Sequence, residues 1–364
     1  RARVRQRVRQ SVERWVGRHD TVSAAIVTAV LIGDRSGLPE DIRRRLQAAG
    51  TYHVIAISGG NIAILAGLML AALYVSGVTG RVAASGTLLL LVVYAQVVNA
   101  GPSVWRATLM AVACLGARVI DHRSPPWHTL AIAAALIVCT SPLAIRDVGF
   151  ILTFGATAAL IEGARCLGYT TSQHLLAGWL MASLAASTAA EVALLPVSAW
   201  MFSRVTSAGL LLNLAAVPLM GLVQVGGIVL TCVDQVEAVA GIAGWIAHGA
   251  AHGLVESARL VDVAPWLTAR VPPPPIWLVG VYYGGLAGGL ATRGVSRAVG
   301  LAALGVSAAA IITGQPASWW RAPPEPPSLR VTAFDVGQGD ATLLQFPDRS
   351  TMLVDTGGAP FGGG

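Results

Sequence analysis

Long runs of apolar residues without a charge are the feature that most constrains how this chain can fold. Residues 51–78, TYHVIAISGGNIAILAGLMLAALYVSGV, contain one such run, which continues to about Tyr74. A helix of about 20 predominantly apolar residues crosses the hydrocarbon core of a bilayer. We therefore expect this run, and the similar runs that follow it, to form helices embedded in a membrane.

The composition supports the same conclusion. Hydrophobic residues make up 54% of the chain and charged residues 12%, and the mean hydropathy is +0.65. Soluble domains contain about 25% charged residues, so the composition excludes an ordinary soluble protein. The four cysteines lie in apolar runs and form no CxxC pair, which argues against a zinc or redox motif.

Candidate spans fill most of the chain. They cover residues 54–76, 83–99, 103–120, 128–145, 149–164, 175–200, 207–232, 238–258, 276–291 and 297–314. We predict an all-α polytopic membrane protein with about ten membrane-embedded helices. The odd-numbered loops hold six arginines and the even-numbered loops hold four, which favours cytoplasmic odd loops and both termini on the outer side.

The part that precedes these spans divides into two regions. Residues 1–20 form a basic arm with seven arginines among the first 18 positions. Such an arm suits binding to nucleic acid or anionic lipid, and the alternative is a solvated helix that flanks the membrane domain. Residues 21–50 are expected to form interfacial or amphipathic helices. The second of these starts after Pro39 with Glu40 and Asp41 in its first turn, and Gly50 suits the position past its end.

A polar break interrupts the first span at Ser58, Gly59, Gly60 and Asn61. Each glycine costs a helix about 1 kcal/mol relative to alanine. Broken helices at membrane depth occur only where protein or a water-filled cavity surrounds them. The break therefore indicates a segment that lines a path, and the alternative is an ordinary helix from Ile62 with these residues as a loop and cap.

Polar residues inside the spans are further candidates for a path lining, because they are costly in a bilayer. Arg106 faces either a pore or the membrane surface. Glu191, with Ser183, Ser187 and Thr188 nearby, either belongs to a polar stripe or bonds to neighbouring helices. The candidates for the path lining are Ser58, Gly59, Gly60, Asn61, Asn99, Arg106, Glu191 and Asn213.

The four-residue spacing of His248, His252 and Glu256 permits metal ligation, and a polar helix face is the alternative.

The C-terminal part changes in character. Residues 315–328 are rich in proline and indicate a linker. In residues 329–364, apolar and polar positions alternate in short stretches separated by turn residues, which is typical of short strands. We expect a β-containing domain that is truncated after three strands. Its polar and glycine positions suit either support for a divalent metal or tight turns, and they are Asp335, Gly337, Gln338, Gly339, Asp340 and Asp355.

Five blocks of the sequence, in order, resemble the ComEC-type competence protein family. They are GDRSGLPEDIRRRLQAAGTYHVIAISGGNIAILAGL, GPSVWRATLMA, SPLAIRDVGFILTFGATAAL, STAAEVALLPVSAWMFSRVTSAGLLLNLAAVPL and FDVGQGDATLLQFPDRSTMLVDTGG. Two departures stand out. Gly60-Asn61-Ile62 replaces the family's Leu-His-Val, and Ile151-Leu152-Thr153 replaces its Gln-Leu-Ser.

The resemblance implies a membrane competence domain over residues 51–314 that forms a channel for single-stranded DNA across the cytoplasmic (inner) membrane during natural transformation. It also implies that residues 329–364 begin a metallo-β-lactamase-like domain, whose complete form would bind a divalent metal and act as a nuclease. No catalytic residue, metal ligand or cofactor is expected in the chain itself. The implied partners are single-stranded DNA, the lipid bilayer, a DNA receptor and a cytoplasmic helicase.

Two other functions remain open at this point. A secondary transporter for a small solute would use broken helices around a central site, and it predicts internal repeats that the two halves do not show. A membrane-anchored metallohydrolase would use its helices only as a tether. A tether does not need Glu191, Asn213 or a Gly-Gly break inside its spans.

Overall fold

The structure, a computed structural model, describes residues 2–55, 57, 59–98, 101–120, 122, 125–167, 175–314, 328–334, 340–348 and 350–355. The chain divides into two compact units, Arg1–Ile312 and Thr313–Gly364. The first unit is almost entirely helical, and the second contains a small antiparallel sheet.

Fifteen α-helices occur in the described part of the first unit. Their bounds are α1 Ala2–Val12, α2 Thr21–Ile32, α3 Glu40–Ala48, α4 Tyr52–Ile55, α5 Gly59–Val75, α6 Gly80–Val97, α7 Pro102–Val119, α8 Pro126–Thr140, α9 Val148–Leu167, α10 Leu175–Phe202, α11 Ala208–Cys232, α12 Glu237–Ala258, α13 Leu260–Val263, α14 Ile276–Ala291 and α15 Gly294–Ile312. A π-helical turn, Glu13–Gly17, follows α1, and 3-10 turns occur at Pro142–Arg146 and Pro265–Leu267.

Each of the ten predicted spans coincides with one of these helices. Among the described residues, six helices are long and apolar enough to cross a membrane, namely α6, α9, α10, α11, α12 and α15. Helices α2, α5, α8 and α14 are apolar but shorter. The chain is therefore a multi-pass membrane protein, and the count of ten membrane-embedded helices stays a prediction.

One helix ends and another begins near the predicted polar break. Helix α4 ends at Ile55 and α5 begins at Gly59, so Gly59, Gly60 and Asn61 form the first turn of a helix and not a loop before Ile62. A Cβ atom added to Gly59 would meet no heavy atom within 4 Å. This end of α5 is consequently open on the side of Gly59, and Ser58 lies outside the described residues.

Helix α2 is short and apolar, and most of its residues are buried. Asp20 caps its N-terminus, because the carboxylate accepts hydrogen bonds from the N–H groups of Val22 and Ser23 at 3.2 and 2.9 Å. Ile26 and Val27 in its middle have no exposed surface, and the helix contacts α11 and α12. Because α2 is apolar on all sides, it packs as a core helix of the unit.

The bounds that the sequence predicted for helix α3 agree with the structure. It starts after Pro39, its apolar face of Ile42, Leu46 and Ala49 is buried, and Gly50 follows with a left-handed φ of 72°. A Cβ on Gly50 would lie 3.0 Å from Thr206 Cγ2. Glycine therefore satisfies both the backbone conformation and the close packing at this point.

A two-stranded ribbon in the helical unit was not predicted. Strand β1, Arg204–Thr206, pairs antiparallel with β2, Thr268–Arg270, and the hydroxyls of Thr206 and Thr268 are 3.0 Å apart. The ribbon joins the connection between α10 and α11 to the segment that precedes α14. It therefore links two loops that are distant in sequence.

Helix α10 contains Pro196 in its interior, and α14 compensates for the missing hydrogen bond. Proline has no N–H, so the carbonyl of Val192, four residues earlier, loses its helical partner. The hydroxyl of Tyr282, which is 1% exposed, donates to this carbonyl at 2.6 Å. Tyr283 donates to the next carbonyl, that of Ala193, at 2.9 Å. The two tyrosines thus fix α14 against the proline-containing turn of α10.

The described part of the second unit holds three short strands, β3 Arg330–Ala333, β4 Thr342–Gln345 and β5 Thr351–Val354. They pair antiparallel in the order β3-β4-β5, which agrees with the strand-turn-strand pattern of the sequence. The assignment of this sheet to a metallo-β-lactamase-like domain stays a prediction. The Pro-rich linker lies outside the described residues, except for its last residue, Ser328.

Candidate functional site

Five helices of the first unit form a closed circuit of contacts. Helix α5 packs on α7, α7 on α9, α9 on α10, α10 on α11, and α11 again on α5. We call these helices the five-helix ring. The path-lining candidates that the structure describes all lie on members of this ring, and they are Gly59, Gly60, Asn61, Arg106, Glu191 and Asn213.

The contact between α7 and α9 is built around Arg106. Its Nη1 donates to Asp147 Oδ1 at 3.1 Å and its Nη2 donates to Ser103 Oγ at 3.0 Å. The arginine side chain is 7% exposed, whereas that of Asp147 is 49% exposed. Asp147 Oδ1 also accepts the N–H of Phe150 at 2.8 Å and so caps α9. Arg106 is thus a buried link between two helices and does not face an open surface.

Gly149 makes room for this link. A Cβ atom at position 149 would lie 2.5 Å from Arg106 Nη2 and 3.0 Å from Asp147 Oδ1. Such distances are shorter than any ordinary contact, so a side chain here would displace the guanidinium group. The Gly149-Phe150 pair that resembles the competence family therefore has a direct packing reason in this chain.

Asn61 lies in the contact between α5 and α11. It has no exposed surface, and Gln224 of α11 donates from Nε2 to the Asn61 backbone carbonyl at 2.9 Å. A carbonyl in the first turn of α5 is thus held by a buried side chain of α11. Asn61 therefore joins ring helices and does not line an open surface in this structure.

Glu191 lies at the contact between α10 and α11. Its carboxylate accepts a hydrogen bond from the backbone N–H of Leu210, in the first turn of α11. Its Oε1 is 2.8 Å from the position that a Cβ on Gly209 would take. The positive end of the α11 dipole thus balances the carboxylate. A carboxylate inside a predicted span favours an arginine partner, and none forms an ion pair with Glu191 among the described residues.

Asn213 lies one turn further along α11 and is half-buried. Its Nδ2 is 3.8 Å from the same Cβ position on Gly209, so the amide and the Glu191 carboxylate flank one glycine. The Oδ1 atom of Asn213 is buried and has no hydrogen-bond partner in the described structure. A buried amide oxygen without a partner is uncommon, and it marks this corner of the ring as polar but incompletely satisfied.

The remaining predicted residues have different outcomes. Gly59 and Gly60 are exposed at the start of α5. Ser58, Asn99, Asp335, Gly337, Gln338 and Gly339 lie outside the described residues. Asp340 and Asp355 are exposed, and Asp355 adopts a left-handed φ of 58° directly after β5, which suits a turn.

Asp147 and Gln224 were not predicted as partners of Arg106 and Asn61. Asp147 could have been found as an N-cap, because an aspartate directly before an apolar helix is a typical cap. Nothing in the local sequence identified Gln224, since its partner is 163 positions away.

A cluster of histidines lies between α12 and the segment that precedes α2. The rings of His19 and His248 stack at 5.2 Å, those of His248 and His252 are 6.0 Å apart, and His248 Nδ1 is 3.0 Å from Ser23 Oγ. Within the described residues, no group of three or more His, Cys, Asp or Glu is arranged to hold a metal ion. The divalent metal that the family resemblance implies is therefore assigned to no described residue.

Asp20 borders this histidine cluster. Burial raises the pKa of its carboxyl, but hydrogen bonds from Ser23 and Val22 and the nearby His248 together hold that pKa below its ordinary value.

Comparison with known proteins shows that the five-helix ring lies within a region that matches a protein family. A family model described as "Competence protein" matches residues 30–296. The chain is 29% identical over 139 residues to "ComE operon protein 3" of Bacillus subtilis (strain 168). The aligned region covers 38% of the chain and 18% of that protein. The chain is also 27% identical over 213 residues to "Uncharacterized protein YcaI" of Escherichia coli (strain K12). This aligned region covers 55% of the chain and 28% of that protein.

The chain thus spans less than a third of the length of these curated relatives. The comparison with solved structures gave no match.

Proposed function

Because the chain belongs to the competence protein family, we propose that its helical unit forms a channel through which single-stranded DNA crosses the cytoplasmic membrane. The closed circuit of α5, α7, α9, α10 and α11 is the observation that carries this proposal. A circuit of helices is the simplest way to surround a path. Most of the predicted polar positions lie on these same helices.

The chemical demands of such a path support the proposal. A DNA strand carries one negative charge per nucleotide, so it needs a wet path lined by hydrogen-bonding or positive groups. Helices α9 and α10 carry half-exposed polar side chains along their length, including Thr153, Thr157, Ser183 and Ser187. The hydroxyls of Thr153 and Thr157 already donate to carbonyls of α9, so their oxygens would accept hydrogen bonds from amino groups of the bases of a passing strand.

The polar residues of the ring would then have two different roles. Arg106 and Asn61 are buried in contacts between helices, so their role is to hold the ring together. Glu191 and Asn213 are half-buried and remain candidates for the lining, together with the exposed Gly59 and Gly60. The α11 N-terminus would weaken the repulsion between Glu191 and phosphate, since it already neutralises part of that charge.

Uptake of radiolabelled DNA into a nuclease-protected pool tests this function. Cells that carry the protein in place of their own competence protein should accumulate protected label, and cells without either protein should not. Glu191→Gln retains an acceptor for the Leu210 N–H and removes the charge, so uptake should equal or exceed that of the wild type. Glu191→Ala removes the side-chain acceptor of the Leu210 N–H in the first turn of α11, which is worth about 1 kcal/mol, and should lower uptake.

Two results would contradict the proposal. One is that cells in which the wild-type protein is correctly inserted take up no more DNA than cells that lack it. The other is uptake of small solutes that excess single-stranded DNA does not inhibit, because this pattern would favour a secondary transporter.

A further inference from the structure

A groove on the surface of the helical unit is separate from the five-helix ring. It lies between the π-helical turn Glu13–Gly17 and the first half of α12, and its volume is about 640 Å³. Arg14, Trp15 and Arg18 line one side, and Gly241, Ile242 and Trp245 line the other. Helix α12 is one of the helices long and apolar enough to cross a membrane.

The positive side of the groove is fixed in place. Trp15 is 5% exposed, and its Nε1 donates to Asp234 Oδ1 at 2.6 Å. The guanidinium carbons of Arg14 and Arg18 each lie 5.0 Å from the centroid of the Trp15 ring, within the range of a cation–π interaction. One buried indole thus holds two cationic groups at the edge of the groove.

The two arginines differ in how their charge is balanced. Arg14 Nη2 pairs with Glu237 Oε1 at 3.2 Å, and both side chains are more than half exposed. Arg18 donates from Nε to His19 Nε2 at 3.1 Å and forms no ion pair with a described carboxylate. The uncompensated positive charge of the groove therefore lies at Arg18.

The opposite side of the groove carries Glu237 at the start of α12 and is otherwise apolar, with two large exposed side chains. Ile242 is 62% exposed and Trp245 is 65% exposed, and the two lie about one turn apart on α12. A Cβ on Gly241 would make only an ordinary contact of 3.5 Å with Arg18 Nη2, so the groove has open space beside this glycine. Cationic groups thus stand directly beside exposed aliphatic and aromatic side chains of a membrane helix.

We propose that this groove binds the head group of an anionic glycerophospholipid, with its phosphate on Arg18 and Arg14 and its acyl chains along Ile242 and Trp245. Tryptophan is typical of the level of the head groups, and basic pockets beside membrane helices bind anionic head groups. A DNA strand is the less suitable occupant, because the groove ends in two exposed apolar side chains and offers only one uncompensated cation, Arg18, to a chain of phosphates. The bound lipid would anchor the basic N-terminal region to the membrane surface.

Native mass spectrometry of the delipidated protein tests the site. The protein is titrated with phosphatidylglycerol, phosphatidylcholine, glycerol 3-phosphate and a short single-stranded oligonucleotide in separate arms. One phosphatidylglycerol should bind with clear preference over phosphatidylcholine. Each of Arg14→Ala and Arg18→Ala should weaken that binding about fivefold, the effect of one basic residue near a lipid surface. Arg3→Ala, which changes an exposed arginine of α1 outside the groove, should leave it unchanged.

A second variant covers the case in which an arginine variant fails to fold. Gly241→Leu retains every charge and fills the groove, so it should abolish the preference for phosphatidylglycerol. Equal binding of the two lipids, or binding that both Arg18→Ala and Gly241→Leu leave intact, would overturn the proposal. Glycerol 3-phosphate binding as tightly as the lipid would also overturn it, as would an oligonucleotide that binds where phosphatidylglycerol does not.

Discussion

Arg106 of α7 and Asp147 before α9 form an ion pair with an Nη1–Oδ1 distance of 3.1 Å, and only the arginine is buried. The two partners therefore contribute unequally. Removal of Asp147 leaves a buried guanidinium without its carboxylate and also uncaps α9. Removal of Arg106 leaves an aspartate that is half exposed and still caps the helix.

The first prediction follows from this inequality. Asp147→Ala should lower the free energy of unfolding by about 3 kcal/mol, the lower end of the cost of an uncompensated buried charge. Arg106→Met, which retains the apolar stem, should cost about 1 kcal/mol. Thermal unfolding of the purified protein in lipid nanodiscs measures both. An equal loss of stability, or a larger loss for Arg106→Met, would contradict the conclusion that Asp147 contributes more to stability than Arg106.

The second prediction concerns the glycine beside this pair. Gly149→Ala places a Cβ atom 2.5 Å from Arg106 Nη2, so the guanidinium must move and the variant should lose about 2 kcal/mol of stability. Gly116→Ala in α7 is the matched control, because no heavy atom lies within 4 Å of its Cβ position. It should be neutral or stabilising by up to about 1 kcal/mol. Similar melting temperatures for the two variants would exclude the proposed crowding.

The third prediction concerns the carbonyl freed by Pro196. Tyr282→Phe removes only the hydroxyl that donates to Val192 and leaves a buried carbonyl unpaired, which should cost about 2 kcal/mol. Tyr283→Phe removes the neighbouring bond at a position that is 36% exposed and should cost less than about 1 kcal/mol. Chemical unfolding followed by tryptophan fluorescence compares the two. The idea fails if Tyr283→Phe is the more damaging variant.

The fourth prediction is a dependence of stability on pH through Asp34, in the connection between α2 and α3. Burial raises the pKa of Asp34, but hydrogen bonds from Ser36 and the charge of Arg9 hold that pKa below its ordinary value. The stabilisation is therefore complete above the ordinary aspartate pKa of about 3.9 and is lost as the pH falls through the lower pKa of the folded state.

Asp34→Asn should accordingly show a smaller fall in melting temperature between neutral and strongly acidic solution than the wild type. Asp41→Asn, at an exposed position of α3, is the control and should follow the wild type. A wild-type pH profile in the Asp34 variant would show that this carboxyl makes no pH-dependent contribution.

Much of the helical architecture was predictable, because it depends on local composition. The uncharged runs located the helices, and the order of Glu40, Asp41 and Gly50 located both ends of α3. The burial of α2 was not predicted, since a short apolar helix looks the same from sequence whether it lies in an interface or in a core. The β1–β2 ribbon was missed because two three-residue strands give no recognisable alternation.

The polar residues were predictable as individuals but not as contacts. Arg106 and Glu191 stood out because charges inside spans are costly. The partner of Arg106 is 41 positions away, and the partner of Glu191 is a backbone N–H at the start of another helix. Neither relationship leaves a local pattern, so only the packing of α7 on α9 and of α10 on α11 reveals it.

Photo-cross-linking of a bound strand tests the central claim most directly. Single-stranded DNA with photoreactive bases is added to the protein in liposomes, and cross-linked peptides are identified by mass spectrometry. The claim that the five-helix ring surrounds the path predicts cross-links in α5, α7, α9, α10 and α11, with none in α14 or α15. Cross-links confined to helices outside the ring, or no more cross-linking than with double-stranded DNA, would contradict it.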